Sequence, residues 1–276
     1  MTIIKKATAA MAVSLAAALA LSGCSGSASL DKPTAANDSL KTISEGVLRV
    51  GTVTDNKPYS YIKDEKNAGL DIDVMKEFAE RQNLKIEFVQ IEFSSLIPSV
   101  VSGQIDVAAA SVSNTEKRRE IVDFSDPYMI GPIAVLTTKG SSVTEDTSSL
   151  EGIRLGLIQG TIQDGYAEQH NFKSDIVRFP DNNTGVAALK TGGIDAFFMD
   201  APLAANYAEA ESSFEIPIVI FDEQAPYGIV FNKKNTQLRD AFNEALHAMI
   251  ADGTLEKLQE IHLPALPVND IFKAKP

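Results

Sequence analysis

Residues 109–128 read A-A-S-V-S-N-T-E-K-R-R-E-I-V-D-F-S-D-P-Y, and their reading decides the fold. An apolar run over 105–110 enters the stretch with the length and composition of a buried strand. Small hydroxyl residues follow, Ser111, Ser113 and Thr115, and then a short charged helix candidate with Arg118 and Arg119. Ser113 and Glu116 have the S-x-x-E spacing of a capping box, with Thr115 a competing cap. A strand that turns into a helix through such residues leaves unpaired N–H groups at the helix start, which favours an anion. An arginine in the first turns adds a planar fork that grips a carboxylate through two parallel hydrogen bonds. The stretch reads as a carboxylate socket. A capped helix with two solvated arginines is the plainer alternative.

The wider phrase separates the two. S-x-S-x-T-x-x-R, followed six residues on by F-S-D-P-Y, resembles the signature of the family 3 extracellular solute-binding proteins, the amino-acid receptors of ABC importers. The resemblance runs over about residues 46–253. It implies an α/β fold of the two-lobe, type II periplasmic-binding-protein class, with a ligand cleft between the lobes and two crossover hinge strands. It also implies that Arg118 grips the ligand's α-carboxylate. With crossings near 131–135 and 222–227, lobe 1 is expected over 46–130 plus 226–276, and lobe 2 over 131–225.

Composition narrows the function. The chain has 276 residues, 44% hydrophobic and 22% charged, enough for a sizeable core in one or two domains. A net charge of −12 argues against nucleic acid, which is held by basic surfaces. The single cysteine, Cys24, excludes an intrachain disulfide. His170, His247 and His262 have no metal-ligand spacing, and neither a metal nor a cofactor is expected.

The first residues read as an export signal. Lys5 and Lys6 precede an apolar stretch, 7–21, that is short for a membrane span. Leu21-Ser22-Gly23-Cys24 looks like a bacterial lipobox, which implies lipid attachment at Cys24 after removal of 1–23. Loss of the two signal lysines leaves a charge of about −14. Residues 24–45, rich in Ser, Ala and Asn over 25–39, read as a flexible tether. The expected location is the outer face of the bacterial cell membrane.

Past the tether, strands and amphipathic helices alternate, and the second half repeats the first. Glu151-Gly152-Ile153-Arg154-Leu155-Gly156 echoes 45–51 with one residue fewer. Ser102-Gly103-Gln104-Ile105-Asp106 is echoed by Thr191-Gly192-Gly193-Ile194-Asp195. Two like βα halves predict two lobes of one design. Helices are expected over 96–102 and 255–261. The most regular apolar stripe runs from Leu238 to Ile250, with Gly253 near the helix end.

The second half supplies a second candidate wall. The strand 155–158 is followed by Gln159-Gly160-Thr161-Ile162-Gln163 and a helix toward His170, another helix start where Gly160 permits close backbone approach. Asp200 follows the apolar strand end Phe197-Phe198-Met199. It reads either as the N-cap of the next helix, two residues before Pro202, or as an anionic partner for an ammonium group. The resemblance assigns it the α-ammonium, so Arg118 and Asp200 together complement a zwitterion. Arg118 with the Ser113 and Thr161 amides would hold the carboxylate; Asp200 with Ser111 would hold the ammonium. Ala110, Ile162 and Gln163 complete the expected site.

The side-chain pocket departs from the family pattern. Relatives that bind basic amino acids carry an acid where this chain has Val53 and an aromatic where it has Asn56, while Phe93 matches a second aromatic wall. With Asp200 read as the sole carboxylate in the cleft, a buried cationic side chain would lack a partner, and a neutral polar or modestly apolar amino acid is expected. Asn56 then either bonds an amide such as glutamine's or faces solvent. The leading reading is a monomeric, lipid-anchored receptor that closes on a free amino acid and delivers it to an ABC permease. Two others stand beside it: a cyclohexadienyl dehydratase-like enzyme, for which no general acid is evident, and a sensor that presents its ligand to a membrane receptor.

Overall fold

The structure, a computed structural model, describes residues 40–220 and 226–264. The signal segment, Cys24, the tether up to residue 39, residues 221–225 of the second crossing and the end from 265 lie outside the described residues. No helix among the described residues is long and apolar enough to cross a membrane.

Two five-stranded sheets share one pattern of strand directions, although the chain visits their strands in different orders. The first runs Lys85–Gln90, Val47–Thr52, Val107–Ala108, Val230–Phe231, Asp123–Phe124. The second runs Asp175–Phe179, Arg154–Ile158, Ala196–Asp200, Ile133–Thr138, Phe214–Ile220. In each, the first three strands are parallel and the fourth and fifth join antiparallel. Each sheet has its own apolar cores. Leu48, Val50, Phe78, Phe231 and Phe242 belong to the first lobe, and Leu136, Leu155, Phe197 and Phe198 to the second.

The sequence echo has a physical content. In lobe 1 the Arg49 N–H donates to Asp106 Oδ2 at 2.8 Å, and the Arg49 guanidinium donates to the Gln104 carbonyl at 2.8 Å. In lobe 2 the Arg154 N–H donates to Asp195 Oδ2 at 2.8 Å, and its guanidinium donates to the Gly193 carbonyl at 2.8 Å. Two residues past each arginine stands a glycine whose side is filled by an isoleucine. A Cβ on Gly51 would lie 2.3 Å from Ile105 Cδ1, and one on Gly156 would lie 2.4 Å from Ile194 Cδ1. The repeated segments are thus one brace built twice.

The helices form where apolar residues recur at helical spacing. Helix Leu70–Arg81 buries Leu70, Ile72, Val74, Met75, Phe78 and Ala79. Helix Thr236–Ala251 buries Leu238, Phe242, Ala245, Leu246 and Met249, and Gly253 beyond it is left-handed, as a helix end requires. Three expected bounds shift. The helix expected over 96–102 starts at Phe93 and carries Pro98 in its interior, because burial of Leu96 and Val100 outweighs the proline penalty. The strand expected over 105–110 is Val107–Ala108, flanked by hydrogen bonds from the Asp106 and Ala109 N–H groups to the neighbouring strand, before the chain turns at Ser111, where φ is +46°. The last helix is Thr254–His262.

Helix Leu70–Arg81 starts without a side-chain cap. Gly69 is its N-cap, and the Leu70 and Asp71 N–H groups donate to the Pro58 and Tyr59 carbonyls, each at 3.0 Å. Gly69 has φ +121°, and a Cβ there would lie 2.2 Å from the Tyr59 oxygen. Gly69→Ala is expected to destabilise the protein by about 3 kcal/mol or more, read as a lowered urea midpoint at unchanged m.

Candidate functional site

The parallel strands of both sheets end at one cavity of about 410 Å³, in the range of small-molecule sites. Lobe 1 contributes Val53–Asn56 by position 53–56, residues 90–93, Ser111 and Ser113; lobe 2 contributes Ile158, 161–163, 180–183, 198–200 and Leu203. Of the expected residues, Val53, Asn56, Phe93, Ser111, Ser113, Thr161, Ile162, Gln163 and Asp200 lie on this wall. The lobes touch across it. Ser111 Oγ donates to Asp200 Oδ2 at 3.2 Å, and Asn206 Nδ2 donates to the Lys57 carbonyl at 3.3 Å. The Asn182 and Asn183 N–H groups donate to Asp55 Oδ2 at 2.6 and 3.2 Å. These bonds tie the two lobes together.

Asp200 occupies the N-cap position of helix Ala201–Ala210, but its side chain makes no capping bond. It accepts instead from Gln163 Nε2 at 2.8 Å and from Ser111 across the cleft. Burial drives its pKa up to about 6, against the pull of its hydrogen bonds and of the nearby Arg118 charge. A carboxylate that leaves its own helix start uncapped and is shut into a cavity is an acceptor in need of a cation.

Ser111 is the lobe 1 counterpart. It receives Asn56 Nδ2 at 2.7 Å on its oxygen. Asn56 is only 6% exposed, so the solvent-facing alternative for it is removed.

Arg118 sits beside the main cavity rather than on its wall. It lines a second cavity of about 250 Å³ with Val112, Gln159 and Gly160, and Phe93 borders both spaces. Its guanidinium joins the lobes: it donates to the Ser113 carbonyl at 2.7 Å and to the Gly160 carbonyl at 2.9 Å, with its carbon 5.5 Å from the Phe93 ring centre. Enclosure lowers its pKa to about 10, so it stays cationic at neutral pH.

Two features of the socket are corrected. The helix after Ser113 is a single turn, Glu116–Arg119, too short to present a row of free amides, and its cap is Thr115, whose Oγ1 accepts the Arg118 N–H at 3.3 Å. Ser113 instead bridges to Tyr227. Ala110 is fully buried in the lobe 1 core and lines neither cavity.

The cavity is more acidic than expected. Asp55, Glu92 and Asp181 line it together with Asp200, so Asp200 is not the sole carboxylate. Two of the additional acids serve the start of helix Asn182–Lys190. Asp181 caps it through the Thr184 N–H at 2.8 Å, and Asp55 reaches it from the opposite lobe. Burial raises the Asp55 pKa. Glu92 is exposed at the rim. Asp181 had the same signal as Asp200, an acid just past a strand end and before a helix. Asp55 had none, since only the fold brings it to the other lobe. No group of three or more His, Cys, Asp or Glu among the described residues is placed to hold a metal.

The buried acids carry a stability signature. Asp200 and the fully buried Asp71 both have pKa values raised from 3.8 to about 6. A raised acid pKa means that folding takes up protons; the stabilisation is complete below the unfolded value and is lost as pH rises through about 6. The empty protein is therefore expected to gain resistance to urea between pH 7.5 and pH 5. Asp200→Asn should flatten this gain by roughly half and be more stable than the parent at pH 7.5, on the order of 1–3 kcal/mol.

The model for bacterial extracellular solute-binding proteins, family 3, matches residues 48–265. The histidine-binding periplasmic protein of Salmonella typhimurium is 31% identical over 230 residues, spanning 76% of this chain and 85% of that protein. An ancestral arginine-binding protein bound to arginine superposes with a TM-score of 0.75 at 32% identity, over 79% of this chain and 98% of that one, and a structure of an ancestral arginine-binding protein bound to glutamine does so at 0.76. An ancestral amino-acid-binding protein described as a precursor of cyclohexadienyl dehydratase gives 0.71 at 31% identity, over 79% and 95%. With its family model covering both sheets and the cavity between them, this chain belongs to the family 3 bacterial extracellular solute-binding proteins.

Proposed function

We propose that the protein is the extracytoplasmic receptor of an ABC importer and captures one free α-amino acid by closing its two lobes on it. The observation that carries this reading is Asp200: an uncapping, enclosed carboxylate on one lobe, hydrogen-bonded to Ser111 of the other. The ligand's ammonium would sit against Asp200 and Ser111. Its carboxylate would take the guanidinium of Arg118, displacing a carbonyl partner. Cys24, in its lipobox, would anchor the protein to the outer face of the cell membrane.

For the side chain we favour a neutral polar group such as an amide. Asp55 and Asp181 already accept backbone amides, and the rest of the wall there is amide-rich, with Asn56, Gln90, Asn182 and Asn183. A basic side chain is the second reading, favoured by the three acids that join Asp200 on the wall. It is also in keeping with relatives named for histidine and arginine.

Calorimetric titration with the twenty common L-amino acids tests the class and separates the two readings. Saturable binding of at least one is expected, and binding of none by folded protein would overturn the proposal. Asp200→Ala and Arg118→Ala should each weaken the best binder by about 2–5 kcal/mol, tens- to thousands-fold. Cys24→Ser should move the protein from the membrane fraction to the soluble fraction of the host cell.

A further inference from the structure

Asp71 is fully buried and absent from the cavity wall, yet it is tied to the residue that meets Asp200 across the cleft. Its Oδ2 accepts the Ser111 N–H at 2.6 Å and its Oδ1 accepts the Tyr128 hydroxyl at 2.7 Å. Ser111 has φ +46°, a left-handed conformation that a residue with a side chain adopts only when its surroundings impose it. In that turn its amide points into the interior, where an unpaired N–H is costly.

We propose that Asp71 is the positioning residue of the ammonium site: its carboxylate holds the left-handed turn at Ser111, and through that turn it aims the Ser111 hydroxyl at Asp200. The inference rests on the reading of Asp200 as the ammonium partner. Around Ser111 the donors are already assigned. Asn56 donates to the hydroxyl oxygen, the hydroxyl donates to Asp200, and the backbone N–H donates to Asp71. The oxygen's remaining lone pair is then an acceptor for an ammonium proton. Asparagine at position 71 offers one oxygen for two inward donors and turns an N–H₂ toward the other, so the turn at Ser111 loses its hold.

The test is a double-variant cycle read by calorimetry with the twenty L-amino acids, beginning with L-arginine and L-glutamine. Asp71→Asn should weaken the tightest binder about 10- to 100-fold. In a Ser111→Ala background the same change should cost no more than about threefold, because its effect passes through the hydroxyl. Tyr128→Phe, which spares the Asp71–Ser111 bond, should lower the melting temperature but leave affinity within about threefold. If Asp71→Asn does not fold, the unaltered protein decides: the Ser111 amide should exchange with deuterium only on global unfolding, and fast exchange overturns the inference. Retained affinity in Asp71→Asn, or losses that simply add in the double variant, overturns it while leaving the proposed function intact. An unaltered protein that binds no amino acid overturns both.

Discussion

One enclosed carboxylate at the cavity organises the site. Asp200 ends the middle strand of the second sheet, and both lobes close around it. No ion pair among the described residues reaches it, and burial pushes its pKa well above that of a free carboxylate. The polar groups that surround it satisfy its hydrogen bonds without cancelling its charge. On the proposed reading, a ligand with a positive head group would relieve that deficit.

Arg118 answers the charge at a distance. Its field reaches Asp200, yet its own N–H groups are engaged by carbonyls of both lobes. The two charges are therefore coupled but not in contact, with Phe93 bordering the spaces on either side.

Much of this was legible in the chain. The apolar runs at 155–158 and 196–199 marked central strands, and the repeated Arg–Gly and Ile–Asp segments announced two halves of one design. Asp200 was visible because it follows an apolar strand end. What was hidden depends on tertiary context. The helix expected from Leu96 starts three residues earlier, at Phe93, and Pro98 lies within it. Ser113 had a capping-box partner, but Thr115 has the geometry. Asp55 looks like an ordinary loop residue until the fold brings the start of helix Asn182–Lys190 to it. The acidity of the side-chain end of the cavity was misjudged for this reason: two of its walls come from segments more than a hundred residues apart in the chain, as Asp55 and Asp181 show.

The brace that each lobe repeats lies at the start of the central strands, whereas the cavity lies at their far ends. Foundation and recognition are thus separated by the length of a strand. Substitutions among the residues that meet a ligand leave the arginine–aspartate ties and the glycine–isoleucine contacts untouched. In a scaffold divided in this way, side chains facing the cavity can be replaced without loosening the lobes that carry them.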